Sequence, residues 1–137
     1  MSDSNEPKAA SGAIVVVDPD PTSRSMAEDL EDDLNSQVVA IDSTDFDPES
    51  SEEVLEASAY VVCFDLGIRS GLDLVEEIRG NPQIADKTIL VASEAPTKEL
   101  VCWAIAVGAD GVCCLPYDGK EVGHRLAAAK ADAQEAA

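Results

Sequence analysis

Val61-Val62-Cys63-Phe64-Asp65, with Tyr60 ahead of it and Leu66-Gly67-Ile68-Arg69-Ser70-Gly71 behind it, reads as a buried strand that ends on a carboxylate and opens into a turn-rich loop. Three more apolar runs end in a comparable way: Val15-Val16-Val17 on Asp18, Leu90-Val91-Ala92 on Ser93, and Cys113-Cys114 on Leu115-Pro116. Continuous apolar runs, as opposed to alternating ones, mark strands covered on both faces, which is the condition of a parallel sheet flanked by helices. In such sheets the carboxyl ends of the strands share one edge, and chemistry collects there. Two carboxylates, a hydroxyl and a leucine are therefore expected around one crevice.

The intervals between these runs carry helix signals. Asp20-Pro21 reads as an N-cap followed by proline at the first helical position, and the helix behind it presents Met26, Leu30 and Leu34 inward and Glu28, Asp29, Glu31, Asp32 and Asp33 outward. Gln37 to Ile41 is the second strand, and Asp47-Pro48 opens a helix that presents Val54 and Leu55. After the third strand, Tyr60 to Phe64, a helix carrying Leu72, Leu74, Val75 and Ile78 stops at Gly80-Asn81-Pro82. Thr88 to Ala92 is the fourth strand, Thr97 to Val107 the fourth helix, closed by Gly108, and Gly111 to Leu115 the fifth strand, stopped by Pro116. A last helix begins near Asp118 and carries Val122 and Leu126. Residues 1–12 read as a disordered arm, 13–129 as one domain and 130–137 as a fraying alanine-rich tail.

Length and charge bound the function. At 137 residues the chain has the size of one domain with an ample core. Its 28 acidic residues against 9 basic ones give a formal net charge of -19, a field that repels nucleic acid and anionic membranes. A basic protein partner and a self-repelling, salt-adapted surface both agree with that charge. No stretch approaches the roughly 20 apolar residues of a membrane span, and the first residues lack the basic start and apolar run of a signal peptide, so a cytoplasmic chain is expected. Cys63, Cys102, Cys113 and Cys114 lie inside apolar runs with no C-x-x-C spacing, and read as small core residues, not ligands or disulfides. No Gly-rich loop follows the first strand, and Asp18-Pro19-Asp20 would repel a phosphate there, which argues against a flavin or nucleotide site. His124 falls on the last helix, away from the crevice.

In order and spacing, several motifs resemble the receiver domain of two-component response regulators, from Ala13 to about Ala129. They are Val15-Val16-Val17-Asp18-Pro19-Asp20, Phe64-Asp65-Leu66-Gly67 with Gly71-Leu72-Asp73-Leu74, Ala106-Val107-Gly108-Ala109-Asp110-Gly111, and Leu115-Pro116-Tyr117 in the place of a Lys-Pro-Phe. The resemblance implies an α/β, flavodoxin-like, doubly wound five-stranded parallel sheet of order 2-1-3-4-5 with five helices. It assigns Asp65 as phosphoacceptor candidate and Ser93 as contact to the phosphoryl oxygens. Mg²⁺ would be held by Asp18, Asp65 and the Gly67 backbone carbonyl. Ser93 is equally readable as a cap on the loop that follows it.

Three departures stand out. Pro19 occupies the second acidic position of the metal site, leaving Asp20 either to swing in as a substitute ligand or to serve only as a helix cap. Leu115 replaces the lysine that neutralises the phosphoryl group, and Val112 replaces an aromatic residue whose rotamer couples to the site. The resemblance therefore implies a stand-alone, atypical receiver of pseudo-receiver type in phosphorelay signalling. On that reading it would not be an enzyme, and Mg²⁺ binding would be weak and phosphorylation of Asp65 weak or absent. It would dock a protein partner (a sensor kinase, a phosphotransfer protein or an output protein) or a second copy of itself. The docking face would be that of the fourth helix, fifth strand and fifth helix, where Trp103 and Tyr117 are expected, although a core role for Trp103 competes. The alternatives are a conventional Asp65 switch with a rearranged metal site, or a small-ligand, flavin or enzymatic domain of the same fold.

Overall fold

A computed structural model describes residues 12–136. Its elements are β1 (Ile14–Val17), α1 (Pro21–Glu28), α2 (Glu31–Leu34), β2 (Val38–Ile41), a 3-10 turn at Ser43–Asp45, α3 (Glu52–Leu55), β3 (Ala59–Cys63), α4 (Gly71–Arg79), β4 (Thr88–Ser93), α5 (Lys98–Val107), β5 (Gly111–Cys114) and α6 (Gly119–Ala136). The strands form one parallel sheet in the order β2-β1-β3-β4-β5. This is the flavodoxin-like doubly wound order that the alternation of runs implies. Pairing sets Val17 beside Ile41 and Val62, Cys63 beside Ala92, and Ser93 beside Cys114, so the residues that follow each strand emerge along one edge.

Successive strand residues feed opposite faces, which is why the runs are continuously apolar. Val15, Val17, Tyr60, Val62, Ile89, Val91 and Val112 pack with Leu74, Val75 and Ile78 of α4 and Ala104 of α5. Ile14, Val16, Val61, Leu90, Ala92 and Cys113 pack with Ala27, Leu30, Tyr117 and Val122 on the other side. Leu115 touches both clusters.

The first helix departs from its expected form. Ala27, not Met26, faces the sheet, and Met26 is 41% exposed. The inward stripe is Ala27, Leu30 and Leu34, at spacings of three and four, and the helix tightens at Asp29-Leu30, where Leu30 N–H bonds the Ala27 carbonyl at 3.0 Å. α2 closes on Asn35 in the left-handed region, which asparagine tolerates. Asp47-Pro48 does not open a helix. Asp47 accepts from the Glu49 amide at 3.0 Å and the Ser50 hydroxyl at 2.9 Å, making a turn, and Ser51 is the true cap of the one-turn α3. Six α-helices and a 3-10 turn thus stand among the described residues where five helices were expected. α6 continues to Ala136, past the expected boundary at 129, while the arm expected over residues 1–12 lies, Gly12 apart, outside the described residues. Cys63 and Cys113 are buried as expected, but Cys102 and Cys114 are exposed, one on the outer side of α5 and the other at the end of the edge strand.

At the edge of the sheet opposite the crevice, two cations hold the connections together. Arg79 donates to the carbonyls of Gly108 at 2.7 Å, Ala85 at 2.7 Å and Lys87 at 2.6 Å, and to Asp110 at 3.0 Å. Asp110 also accepts from the Ile89 amide at 2.8 Å. The Lys87 ammonium donates to the carbonyls of Leu55 and Ala57 at 2.9 and 2.7 Å. Gly108, at φ 115°, gives Arg79 its room, because a Cβ there would lie 2.7 Å from the Arg79 stem.

Replacing Arg79 by Met should lower unfolding stability by about 2 to 3 kcal/mol, since the half-buried acceptors lose a forked cation. Arg79→Lys should recover less than half, because an ammonium cannot reproduce the fork. Urea melts of the two variants check this. A second expectation follows from Glu31, Asp32, Glu52, Glu53 and Glu56, which line one groove beside β1 and β2. The melting temperature should rise steadily with NaCl from low salt to about 1 M as the screening length falls from about 30 Å to about 3 Å; a flat or falling profile removes the repulsion.

Candidate functional site

The carboxyl ends of the strands surround a crevice of about 740 Å³, lined by Asp18, Pro19, Asp20, Asp65, Gly67, Ser93 and Leu115. The parallel register brings together these seven residues, which sequence alone placed at separate strand ends. Arg69, Ser70 and Glu94 complete its rim, and Cys63 its floor. Val112 lies below, in the core.

Asp18 is the centre of the arrangement. It is 2% exposed, and both carboxylate oxygens are engaged by the protein itself. Oδ1 accepts from the Asp20 amide at 2.9 Å, and Oδ2 accepts from the Tyr117 hydroxyl at 2.7 Å. The Arg24 guanidinium donates at 2.8 Å to the Asp18 main-chain carbonyl, not to the carboxylate. Pro19 supplies neither an acid nor an amide, but the turn it occupies folds the next amide back onto Asp18. Asp20 has settled into the capping role: its side chain accepts from the Thr22 amide at 3.1 Å.

Asp65 shares with Asp18 a bond from the amide two residues on, but differs in exposure and has no counterpart to the Tyr117 hydroxyl. Its side chain is exposed, and Oδ1 accepts from the Gly67 amide at 2.9 Å. The loop is pinned by the Leu66 amide on the Arg69 carbonyl at 3.1 Å, the Gly71 amide on the Phe64 carbonyl at 2.6 Å, and an antiparallel bridge between Asp65 and Ser70. Gly71 is required at that crossing, where a Cβ would meet the Cys63 carbonyl at 2.1 Å. Ser93 is buried, and its Oγ accepts from the Ala95 amide at 3.2 Å, as the loop-cap reading has it.

Tyr117 is where the sequence reading has to be corrected. Expected on an interaction face, it is 8% exposed and turns inward, with its ring in the core beneath the crevice and its hydroxyl on Asp18. The physical signal was available: a buried phenol needs a partner for its O–H, and a buried aspartate that has lost its neighbouring lysine needs a donor. Trp103, by contrast, is 58% exposed, so the competing core role is not the one it takes.

The donors around the crevice leave little for Mg²⁺. Asp18 has both oxygens committed to protein donors, Asp20 caps α1, and Pro19 offers nothing. Among the described residues no group of three His, Cys, Asp or Glu side chains could hold a metal ion. The set does not fit a divalent cation.

Burial shapes the titrations in and below the crevice. The Tyr117 phenol is pushed up by burial and then by its bond to Asp18. Cys63 rises from 9.0 to about 11, mainly through burial and next through the Asp18 carboxylate; Cys113 rises to about 12 and Tyr60 from 10.0 to about 12, both mainly through burial. All four hold their protons longer folded than unfolded. Their contribution to stability is therefore complete below the unfolded values of 9.0 and 10.0 and is lost as pH climbs through the folded values. Unfolding free energy should be level across neutral pH and fall progressively from about pH 9 to pH 12, read by denaturant melts; a rise over that range contradicts the burial described.

No protein-family model matches the chain, and no curated protein matches it in sequence. Solved structures do match it in shape. A response regulator receiver domain protein from Clostridium thermocellum superposes with a TM-score of 0.74 at 16% identity, covering 92% of this chain and 99% of its own. The signal receiver domain of a DNA binding response regulator from Colwellia psychrerythraea 34H gives 0.71 at 15% identity, over 85% and 96%. A response regulator protein from Burkholderia pseudomallei, solved with a phosphorylated aspartic acid, a calcium ion and citrate, gives 0.65 at 22%, over 91% and 73%. With the strand order and the crevice at the strand ends, these likenesses give the chain the fold of response regulator receiver domains.

Proposed function

We propose that the chain is an atypical receiver of pseudo-receiver type in two-component signalling. It acts by docking a protein partner, with phosphorylation of Asp65 weak or absent. The observation that carries this reading is the state of Asp18, whose oxygens are taken by Tyr117 and Asp20. Attack by the Asp65 carboxylate on phosphorus sets negative charge on negative charge and needs cations to offset it. Leu115 supplies none, and Mg²⁺ binding is weak where Asp18 has no free oxygen.

The switching step is weakened for the same reason. A two-state element responds only to differential contacts with its ligand, and inverting a population from 1:99 to 99:1 takes about 5.5 kcal/mol. Leu115 and Val112 remove two contacts that would carry that energy. Ser93 is the one left.

The docking surface is α5. Its start carries Lys98 and Glu99, and from Leu100 to Val107 it has no charge. Leu100 and Ala104 face the core; Val101 and Ile105 are exposed on one flank, Trp103 on the other, with Cys102 and Ala106 between. A sensor kinase, a phosphotransfer protein or an output protein could bury this strip, as could a second copy. The exposure of Asp65 favours one other reading, a conventional phosphoacceptor switch that dispenses with the usual metal geometry.

Incubation with a small phosphodonor and Mg²⁺, followed by intact mass, separates the two. No stable phosphorylated species is expected; a stoichiometric one establishes the conventional switch. For a partner recovered with the native chain, Asp65→Asn should leave affinity within about threefold, while Trp103→Ala should weaken it at least tenfold, about 1.4 kcal/mol. The opposite pattern rejects constitutive docking.

A further inference from the structure

We infer that two helix-borne glutamates, Glu31 and Glu121, close the two open edges of the sheet against strand addition by a second copy of the chain. Each places its carboxylate on an outward-facing amide of an edge strand. The inference goes beyond the docking reading and does not rest on it.

The order β2-β1-β3-β4-β5 leaves β2 and β5 with one unpaired side each. Both are hazards by composition: Gln37-Val38-Val39-Ala40-Ile41 and Gly111-Val112-Cys113-Cys114-Leu115 carry no charge and no proline, and are mostly apolar. Such a segment with open backbone donors is a template for another chain, and a twofold axis pairs it antiparallel with its own copy.

Backbone direction alternates along a strand, so each of these four-residue strands has two residues whose amides face its neighbour and two whose amides face outward. In β2 the Gln37 and Ile41 carbonyls accept from the Ile14 and Asp18 amides, both at 2.9 Å, which turns Val38 and Ala40 away from the sheet. The Val38 amide donates to the Glu31 carboxylate at 2.8 Å, and just ahead of the strand the Ser36 amide donates to the Glu31 carbonyl at 3.3 Å. In β5 the Leu115 amide donates to the Ser93 carbonyl at 2.9 Å, which turns Cys114 outward. The Cys114 amide donates to the Glu121 carboxylate at 3.0 Å. The next outward position is Pro116, which has no N–H. Glu31 comes from α2 and Glu121 from α6, so two separate helices place the same group at the same kind of position on opposite edges. Each carboxylate acts twice. It takes one of the two outward donors of its strand in a charge-assisted bond, and it sets a negative charge where a second copy docking across a twofold axis would bring another.

Amide hydrogen exchange reads the two bonds directly. Glu31→Ala should lower the protection factor of the Val38 amide at least tenfold, about 1.4 kcal/mol, and leave Cys114 unchanged; Glu121→Ala should do the reverse. Glu31→Gln and Glu121→Gln keep an acceptor oxygen and should restore most of the protection. Assembly is read by sedimentation in about 1 M NaCl, where the screening length is about 3 Å and net charge no longer holds copies apart. The Glu31→Ala/Glu121→Ala chain, its fold checked by circular dichroism, should form a larger species than the native chain at equal concentration. It should still do so with Trp103→Ala added, which separates edge pairing from pairing through α5. Unchanged protection in the Ala variants overturns the inference. So does a folded double variant that sediments like the native chain, or one whose association disappears with Trp103→Ala. Failure of the docking proposal would show in the affinities of Asp65→Asn and Trp103→Ala and leave the exchange measurements unchanged.

Discussion

Asp18 ends a strand buried on both faces, so its carboxylate enters the protein with almost no access to water, and the organisation of the crevice follows from how that charge is satisfied. Two solutions exist for a carboxylate in such a place: cations, or oriented neutral donors that need no counter-ion. The chain adopts the second. Pro19 shapes the turn that returns the Asp20 amide, Asp20 then caps α1, and Tyr117 reaches across from the end of β5 to close the remaining oxygen. Each of these commitments removes a group that would otherwise serve a metal or a phosphoryl group.

The two edges of the sheet are therefore built on different principles. At the amino-terminal edge, Arg79 and Lys87 neutralise a set of main-chain carbonyls and bind β4, β5 and the α3–β3 connection into one unit. At the carboxyl-terminal edge the charges are acidic, and neutral donors satisfy Asp18 and Asp65. Placing scarce basic residues where they lock the scaffold leaves the crevice short of positive charge, and Arg69, which lines it, is paired with Glu77 on α4. The same distribution fits a chain of net charge -19: its acids are mostly exposed, on helix faces such as α2 and in the loops, where water screens them.

The sheet was legible because strand ends carry a strong local signature. Continuous apolar runs closed by Asp18, Asp65 and Ser93, with Gly108 and Pro116 as punctuation, leave few alternatives to right-handed crossovers in this order. What escaped reading depended on phase or on distance along the chain. Met26 and Ala27 are both compatible with an inward position until the tightening at Asp29-Leu30 fixes the rotation of the stripe. Asp47 looks like a cap, and its side chain does accept from the Glu49 amide and the Ser50 hydroxyl, but it closes a turn and leaves capping to Ser51. Cys102 sits in an apolar run whose period, once α5 is placed on Leu100 and Ala104, turns it to solvent. The Tyr117–Asp18 bond joins residues 99 apart in sequence, and no local pattern encodes it. It becomes readable only when the fold is known and the missing lysine is treated as an unpaid desolvation of Asp18.

That desolvation also explains why Leu115 is compatible with the fold. A lysine reaching toward Asp18 and Asp65 would need both its stem buried and its ammonium solvated by carboxylates, but one oxygen of Asp18 is already closed by Tyr117. An apolar side chain at this position instead extends the hydrophobic contact between the two core clusters up to the crevice floor. The substitution and the hydroxyl are thus two halves of one solution. Leucine seals the crevice from below, tyrosine satisfies the acid that sealing would otherwise strand, and the exposed Asp65 faces a site whose charge balance is complete without it. The uncharged outer side of α5 is set on the scaffold by Leu100, Ala104 and the Arg79–Gly108 contact, and Leu100 joins that anchoring to the wall of the crevice.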